Sequence, residues 1–241
     1  DHYEPVPPNV VEEVKKKHGQ IFDKNDEIKL SPRTVTFLVA ELQKYALLTT
    51  NIDIKGKAYE EIVGANLRGD RGEFFTPRNV MKMTVDMINP KEHERVLDSS
   101  CGTGGFVVTA MTSVIDSLRE RMEKQYGIEE GWNADVRKAF NDKISEIAAK
   151  NYFGFDINPD LVKATKMNMV MNNDGSGNIL KFNTLLPPQE WEEDPKKKLA
   201  KALGIPSSEI RSHKSLAHFD VIVTNPPFGA KIPIKDHQIL E

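Results

Sequence analysis

Asn225-Pro226-Pro227-Phe228 closes the apolar run Phe219-Asp220-Val221-Ile222-Val223-Thr224, and these residue types suit chemistry on a planar aromatic amine. The lone pair of such an amine is delocalised into its ring. Its nitrogen is a poor nucleophile until two acceptors take its two hydrogens and localise the pair. Asn225 offers a side-chain oxygen, and Pro226 a carbonyl with no competing N–H. Consecutive prolines restrict the backbone, so that carbonyl is aimed before reaction, and Phe228 offers a face on which an extruded base can stack. Methyl transfer to the amine then needs position and polarity, with no general base. The same four residues also read as a proline-stopped strand with an Asn turn and one core Phe, so their companions must decide.

The first companion is Val96-Leu97-Asp98, an apolar strand running through Ser99-Ser100-Cys101-Gly102-Thr103-Gly104-Gly105-Phe106 into a helix. That helix shows in Val107, Met111, Val114, Leu118 and Met122, three or four residues apart. Glycines before it let a ligand lie against bare backbone at a helix N-terminus. The G-x-G-x-x-G spacing of a dinucleotide fold is not met. An acid ahead of the glycines argues against a pyrophosphate and for a ligand with a cationic amine, such as S-adenosylmethionine.

Tyr152-Phe153-Gly154-Phe155-Asp156-Ile157-Asn158-Pro159 gives a second strand ending in a carboxylate, with Asn158 as N-cap and Pro159 as first helical residue. An acid at that strand end suits ribose hydroxyls. Asp156 follows Asp98 by 58 residues, which requires an extra helix, predicted over 135–150. Upstream, Gly72-Glu73-Phe74-Phe75-Thr76-Pro77 is an extended piece feeding a helix, with Thr76 expected as N-cap and Pro77 in the first turn. Thr76 also offers a hydroxyl to the methionine end of the cofactor, with Phe74 or Phe75 as a wall.

These motifs, in this order, resemble the amino-methyltransferases of DNA, and closely the modification (M) subunits of type I restriction-modification systems. Gly56-Lys57-Ala58-Tyr59-Glu60-Glu61 and the stretch from Ala164 through Met167-Asn168-Met169 to Gly175 are also similar to that family, and the likeness runs over about 31–229. The resemblance implies a Rossmann-like α/β fold and S-adenosylmethionine-dependent methylation of the exocyclic amine of adenine in double-stranded DNA. It implies a cofactor site of Phe75, Thr76, Pro77, Asp98, Cys101, Gly102, Thr103, Gly104, Gly105, Phe106, Asp156, Ile157, Asn183 and Thr184. By the same likeness, Thr76 and Pro77 border the methionine moiety, Asp98 and the glycine backbone hold it, and Asp156 takes the ribose. The target amine would meet Asn225, Pro226, Pro227 and Phe228. Two departures stand out: Asn183 precedes Thr184-Leu185 where relatives carry an acid, and Ser99-Ser100 replaces the usual Pro-Ala. Asn183 retains the capacity to hydrogen-bond the cofactor's adenine ring. Implied partners are double-stranded DNA and the specificity (S) and restriction (R) subunits, in a prokaryotic cytoplasm.

Composition agrees with a globular enzyme: 241 residues at 39% hydrophobic supply a core for one domain and an appendage. Cys101 is the single cysteine, which excludes an intramolecular disulfide and reads as a small packing residue. Cytosine ring-carbon methylation would need a thiolate after a proline, and Pro227 stands there instead. Six scattered histidines show no paired metal-ligand spacing, so no metal is expected. No apolar run approaches the roughly 20 residues of a membrane helix, and no leader opens the chain. A formal charge of −3 is not that of a stand-alone DNA binder, so DNA affinity is expected to depend on a partner.

Organisation divides near residue 80. Residues 1–80 read as a helical segment: a proline-rich start over 1–8, a helix capped by Ser31-Pro32 carrying Val35, Leu38, Val39 and Leu42, and another over 57–67. Residues 81–241 alternate strands and helices, the pattern of a parallel α/β catalytic domain. Within it, 187–218 reads as a polar insertion with a helix around 195–203, and Lys196-Lys197-Lys198 as a solvated loop. Relatives build a sheet of about seven strands, whereas 229–241 is too short for the strands after Asn225. The sheet is therefore expected to stop at its fourth strand. A protein-glutamine or RNA amino-methyltransferase, or a non-catalytic assembly module, are the competing functions.

Overall fold

The computed structural model describes residues 30–44, 76–172, 176–210 and 218–226, with positions 9, 13, 16 and 19 in isolation. The expected helix over 57–67, the start of the chain, Phe75, Pro227 and Phe228 lie outside the described residues. Strands β1 (Val96–Asp98), β2 (Tyr152–Asp156), β3 (Ile179–Lys181) and β4 (Val221–Ile222) form one parallel sheet in the order β3-β2-β1-β4. Six helices are described: α1 (Pro32–Leu42), α2 (Arg78–Ile88), α3 (Gly105–Tyr126), α4 (Ala134–Asn151), α5 (Pro159–Met171) and α6 (Glu193–Leu203). This is the doubly wound, Rossmann-like α/β architecture expected from the alternation of elements.

The order matters more than the strand count. Successive strands run outward from β1 through β2 to β3, and the chain then returns to the other side of β1 for β4. The sheet therefore reverses direction between β1 and β4, and a crevice opens at the carboxyl ends of strands flanking such a reversal. Asp98 ends one of these strands, and Asn225 follows the other by three residues.

Strand side chains alternate between two cores. Val96, Tyr152, Ile179 and Val223 pack with Met81 and Val85 of α2 and the apolar stripes of α3, α4 and α5. Leu97, Phe153, Phe155 and Leu180 pack on the opposite face with Phe182, Trp191, Leu199, Leu203, Ile210 and Phe219. Burial of β1 and β2 on both faces explains why the sequence shows near-continuous apolar runs there rather than alternation. The expected division at residue 80 falls within α2.

The second core corrects the reading of 187–218. Far from being a polar insertion, its described part caps the sheet: the Trp191 ring lies 4.3 Å from Phe182 and 6.1 Å from Phe155, and its Nε1 donates to the carbonyls of Asn183 and Leu186. Lys196-Lys197-Lys198 is helical, within α6, and not a loop. Lys196 is only 7% exposed; its methylenes cover apolar surface while Nζ reaches Glu193 at 2.6 Å.

Other helix signals hold. The Ser31 hydroxyl accepts from Thr34 N–H at the start of α1, and the Asn158 side chain accepts from Asp160 N–H at the start of α5 with Pro159 in the first turn. The helix expected over 135–150 is α4, capped by Asn133. Among the described residues, no helix is long and apolar enough to cross a membrane, and no group of three or more His, Cys, Asp or Glu is placed to hold a metal.

Candidate active site

A cleft at the reversal point is lined by Thr76, Met81, Asp98, Ser100, Cys101, Gly102, Thr103, Gly105, Phe106 and Asn225. Three motifs far apart in sequence thus meet. Thr76 arrives just ahead of α2, the turn between β1 and α3 forms the floor, and Asn225 reaches in from beyond β4.

Asp98 is 2% exposed, and its carboxylate accepts from Ser100 N–H at 3.1 Å. Burial, with the nearby negative charge of Asp156 adding to it, pushes the carboxyl up to about 7, against the lowering pull of Ser100 N–H and the Thr224 hydroxyl. That hydroxyl is buried and makes no hydrogen bond of ordinary geometry among the described residues. A buried acid of this kind calls for a cation.

Asp156 is differently placed. One oxygen accepts from Gly102 N–H at 3.0 Å and the other from Asn158 N–H at 2.8 Å. The carboxylate therefore fastens the glycine turn to the end of β2. Register explains the spread of the site: Asp98 pairs with Gly154, so Asp156 lies two residues beyond the level of Asp98, and Asp156 in turn pairs with Lys181. Asn183 stands two beyond Lys181. The three residues form a staircase with steps of roughly 7 Å along the strands.

The glycine turn is shaped by α5. Thr165 Oγ1 donates to Gly102 O at 2.6 Å and Asn168 Nδ2 to Thr103 O at 2.9 Å, while Asn172 Nδ2 donates to Asn168. With these carbonyls drawn toward the helix, the backbone of the turn is held in one shape. Neither Thr165 nor Asn168 was among the residues expected at the site. Their signal was three polar residues at 165, 168 and 172 on an otherwise apolar helix face. Gly104 has φ of 86°, and a Cβ there would lie 2.8 Å from Thr165 Cγ2. Gly104→Ala is accordingly expected to lower the thermal midpoint by the equivalent of about 1–2 kcal/mol from the left-handed backbone alone, and a differential scanning measurement checks this.

Cys101 is buried against Gly154 and Thr165, with its thiol pushed up by burial and by both acids. Burial and the raised thiol disfavour the thiolate that nucleophilic attack would need. Met81 and Ser100 join the lining without having been expected. Met81 reaches it because Gly105 has no side chain: a Cβ there would stand 2.5 Å from Met81 Sδ.

Thr76 requires a correction. The expected N-cap is not Thr76 but Pro77, in extended conformation and with no side-chain cap bond, and α2 starts at Arg78. The hydroxyl of Thr76 instead accepts from Asn225 Nδ2 at 2.9 Å. Pro77, Gly104, Asp156, Ile157, Asn183, Thr184 and Pro226 fall outside the cleft lining. Asn183 Oδ1 accepts from Leu185 N–H, Thr184 Oγ1 donates to Ser99 O at 3.0 Å, and Ile157 stands half exposed beyond β2.

A parallel sheet that reverses beside a glycine turn, with an acid at each of two adjacent strand ends and an Asn-Pro step across the reversal, defines the Rossmann-like methyltransferase class. Within it, residues 50–241 match the family described as N-6 DNA Methylase, and the chain belongs to that family. Similar curated proteins include the type II restriction enzyme and methyltransferase RM.BcgI of Heyndrickxia coagulans, 27% identical over 67% of this chain and 23% of the relative. The type I restriction enzyme EcoEI methylase subunit of Escherichia coli is 30% identical over 72% of this chain and 27% of its own length. The chain thus spans about a quarter of these relatives. A solved modification subunit of a putative type I restriction enzyme from Vibrio vulnificus covers 79% of this chain and 31% of its own, at 23% identity and a TM-score of 0.43.

Proposed function

We propose that the chain carries the S-adenosylmethionine site and the amine-acceptor motif of an adenine-specific DNA methyltransferase, acting as the methylase subunit of a type I restriction-modification system. The observation that carries this reading is the meeting of Asp98, the glycine turn and Asn225 in one cleft at the sheet reversal. The donor set fits the cofactor: a buried acid for a cationic amine, bare glycine backbone, and a second acid one strand over for ribose hydroxyls.

When bound, S-adenosylmethionine supplies a methyl group activated by its sulfonium. The chain's own residues do the rest by position. Asp98 and the turn at 102–105 hold the methionine end, with Thr76 at its border, and Asp156 faces the ribose. On the acceptor side, Asn225 Oδ1 and the Pro226 carbonyl take the two amine hydrogens, leaving the lone pair directed at the donor side. In this reading Pro227 fixes the aim of that carbonyl and Phe228 stacks on the base. Duplex DNA, with the base extruded, is the proposed substrate, and specificity and restriction subunits the proposed partners, in a cytoplasmic setting.

Two measurements test it. Isothermal titration with S-adenosylmethionine should give binding for the wild type and none for Asp98→Ala; equal heats would refute the site. Radiolabelled methyl transfer should place label on adenine of duplex DNA, in the presence of a specificity subunit. Label found only on protein or RNA would replace the DNA reading, and binding without transfer would favour an assembly module.

A further inference from the structure

We infer that Thr76 is a positioning residue that sets which way the Asn225 amide faces, and so couples the cofactor side of the cleft to its amine side through one hydroxyl. This rests on the amine-methylating reading above. The Asn225 Nδ2–Thr76 Oγ1 bond of 2.9 Å joins positions 149 residues apart, across the cleft both residues line.

A primary amide is nearly symmetric in shape and opposite in polarity at its two ends. With Nδ2 on Thr76, Oδ1 is the end left to accept a hydrogen from the target amine. Turned over, the amide would present its own NH₂ to the amine, donor against donor, and no lone pair would be localised. A threonine hydroxyl can support either orientation, because it both accepts and donates.

What selects the productive one is the fate of the hydroxyl hydrogen. Thr76 caps no helix, since Pro77 takes the N-cap position, and its Oγ1 accepts from Asn225. Its hydrogen is thus available to an acceptor in the cleft, of which the carboxylate at the methionine end of the cofactor is the one this reading supplies. Once that hydrogen is committed, Oγ1 has only lone pairs for Asn225, and the amide must offer Nδ2. Cofactor occupancy would then fix the acceptor before the base arrives, without a moving loop.

The test uses ¹⁵N-labelled protein, wild type, Thr76→Val and Thr76→Ser, and follows the Asn225 side-chain NH₂ signal, assigned by its loss in Asn225→Asp. A shifted, exchange-protected amide hydrogen is expected in the wild type and Thr76→Ser, sharpened by S-adenosylmethionine, and lost in Thr76→Val. In single-turnover transfer to duplex DNA free of methylated adenine, at saturating cofactor, Thr76→Val should slow the step about tenfold, the size of one neutral hydrogen bond. Cofactor Kd should rise about tenfold or more in Thr76→Val, the size of one hydrogen bond to a charged group, which is why the step is read at saturating cofactor, and Thr76→Ser should recover most of both.

An Asn225 signal unaffected by Thr76→Val overturns the inference. So does a valine variant that weakens cofactor binding yet reaches the wild-type saturated rate, or a serine variant no better than valine. If the wild type itself transfers no methyl group to DNA, the functional reading fails, and the amide signal still decides whether Thr76 orients Asn225.

Discussion

Asp98→Asn makes the ligand-free protein more stable at pH 8, by roughly 2–4 kcal/mol, and weakens its affinity for S-adenosylmethionine on the order of 10²-fold. The first half follows from linkage. Burial holds the Asp98 carboxyl at about 7 in the folded protein against an ordinary value of 3.8. The folded state therefore binds a proton that the unfolded state has released. Stability from this group is fully present below about 3.8, falls as pH rises toward 7, and is flat above. Each unit of difference is worth about 1.4 kcal/mol, so the full cost of ionising Asp98 in place is about 4 kcal/mol. Asparagine carries no charge, keeps an oxygen for Ser100 N–H, and offers Thr224 a donor. Denaturant titrations between pH 5 and pH 8 should show the wild type losing stability across that range and the variant losing much less; parallel pH profiles would contradict the burial argument.

The second half has the opposite sign in function. A cationic amine seated on Asp98 needs the ionised carboxylate. Wild-type affinity should thus fall as pH drops below about 7, and the variant should bind on the order of 10²-fold more weakly at pH 8, as expected when a buried charge loses its partner. The acid that weakens the empty fold is the one that makes the site.

Asn225→Ala separates cofactor binding from methyl transfer. The amine-side acceptor is lost together with the Nδ2 donor to Thr76 Oγ1, but no contact proposed to the cofactor itself, so S-adenosylmethionine affinity should stay within a few-fold of wild type. The methyl-transfer rate should drop about 10²–10³-fold, the usual consequence of removing one preorganised polar contact to the reacting centre. Single-turnover transfer at saturating cofactor measures this directly. A variant with wild-type transfer would show that Asn225 is only the turn residue that its position after a strand also permits.

Much of this arrangement was legible because strand ends advertise themselves. Val96-Leu97-Asp98 and Tyr152-Phe153-Gly154-Phe155-Asp156 are apolar runs closed by an acid, and both are strands closed by that acid. Asn158-Pro159 carried both a cap and a first helical residue, and the fold uses both. Thr76 was misread by a single residue: a threonine before a proline normally caps a helix, but here the proline is the cap and the hydroxyl is released to Asn225. Trp191, Leu199, Leu203 and Ile210 were hidden for a different reason. They are dispersed among charges and prolines, and only packing on Phe153, Phe155 and Leu180 reveals them as core. Thr165 and Asn168 escaped notice because polar residues on a helix suggest solvent, whereas these satisfy carbonyls of the glycine turn.

The pairing of β1 with β4 has one more consequence. Val96 sits opposite Val221 and Leu97 opposite Ile222, and Val223 N–H donates to Leu97 O at 2.9 Å. Adjacent strands are roughly 4.8 Å apart because backbone hydrogen bonds allow little else. In the proposed enzyme this spacing is a ruler: the gap between donor and acceptor stations is graduated by the ladder itself. Exchanging surrounding loops or partner subunits can then change which base is delivered without recalibrating how far the methyl group must travel.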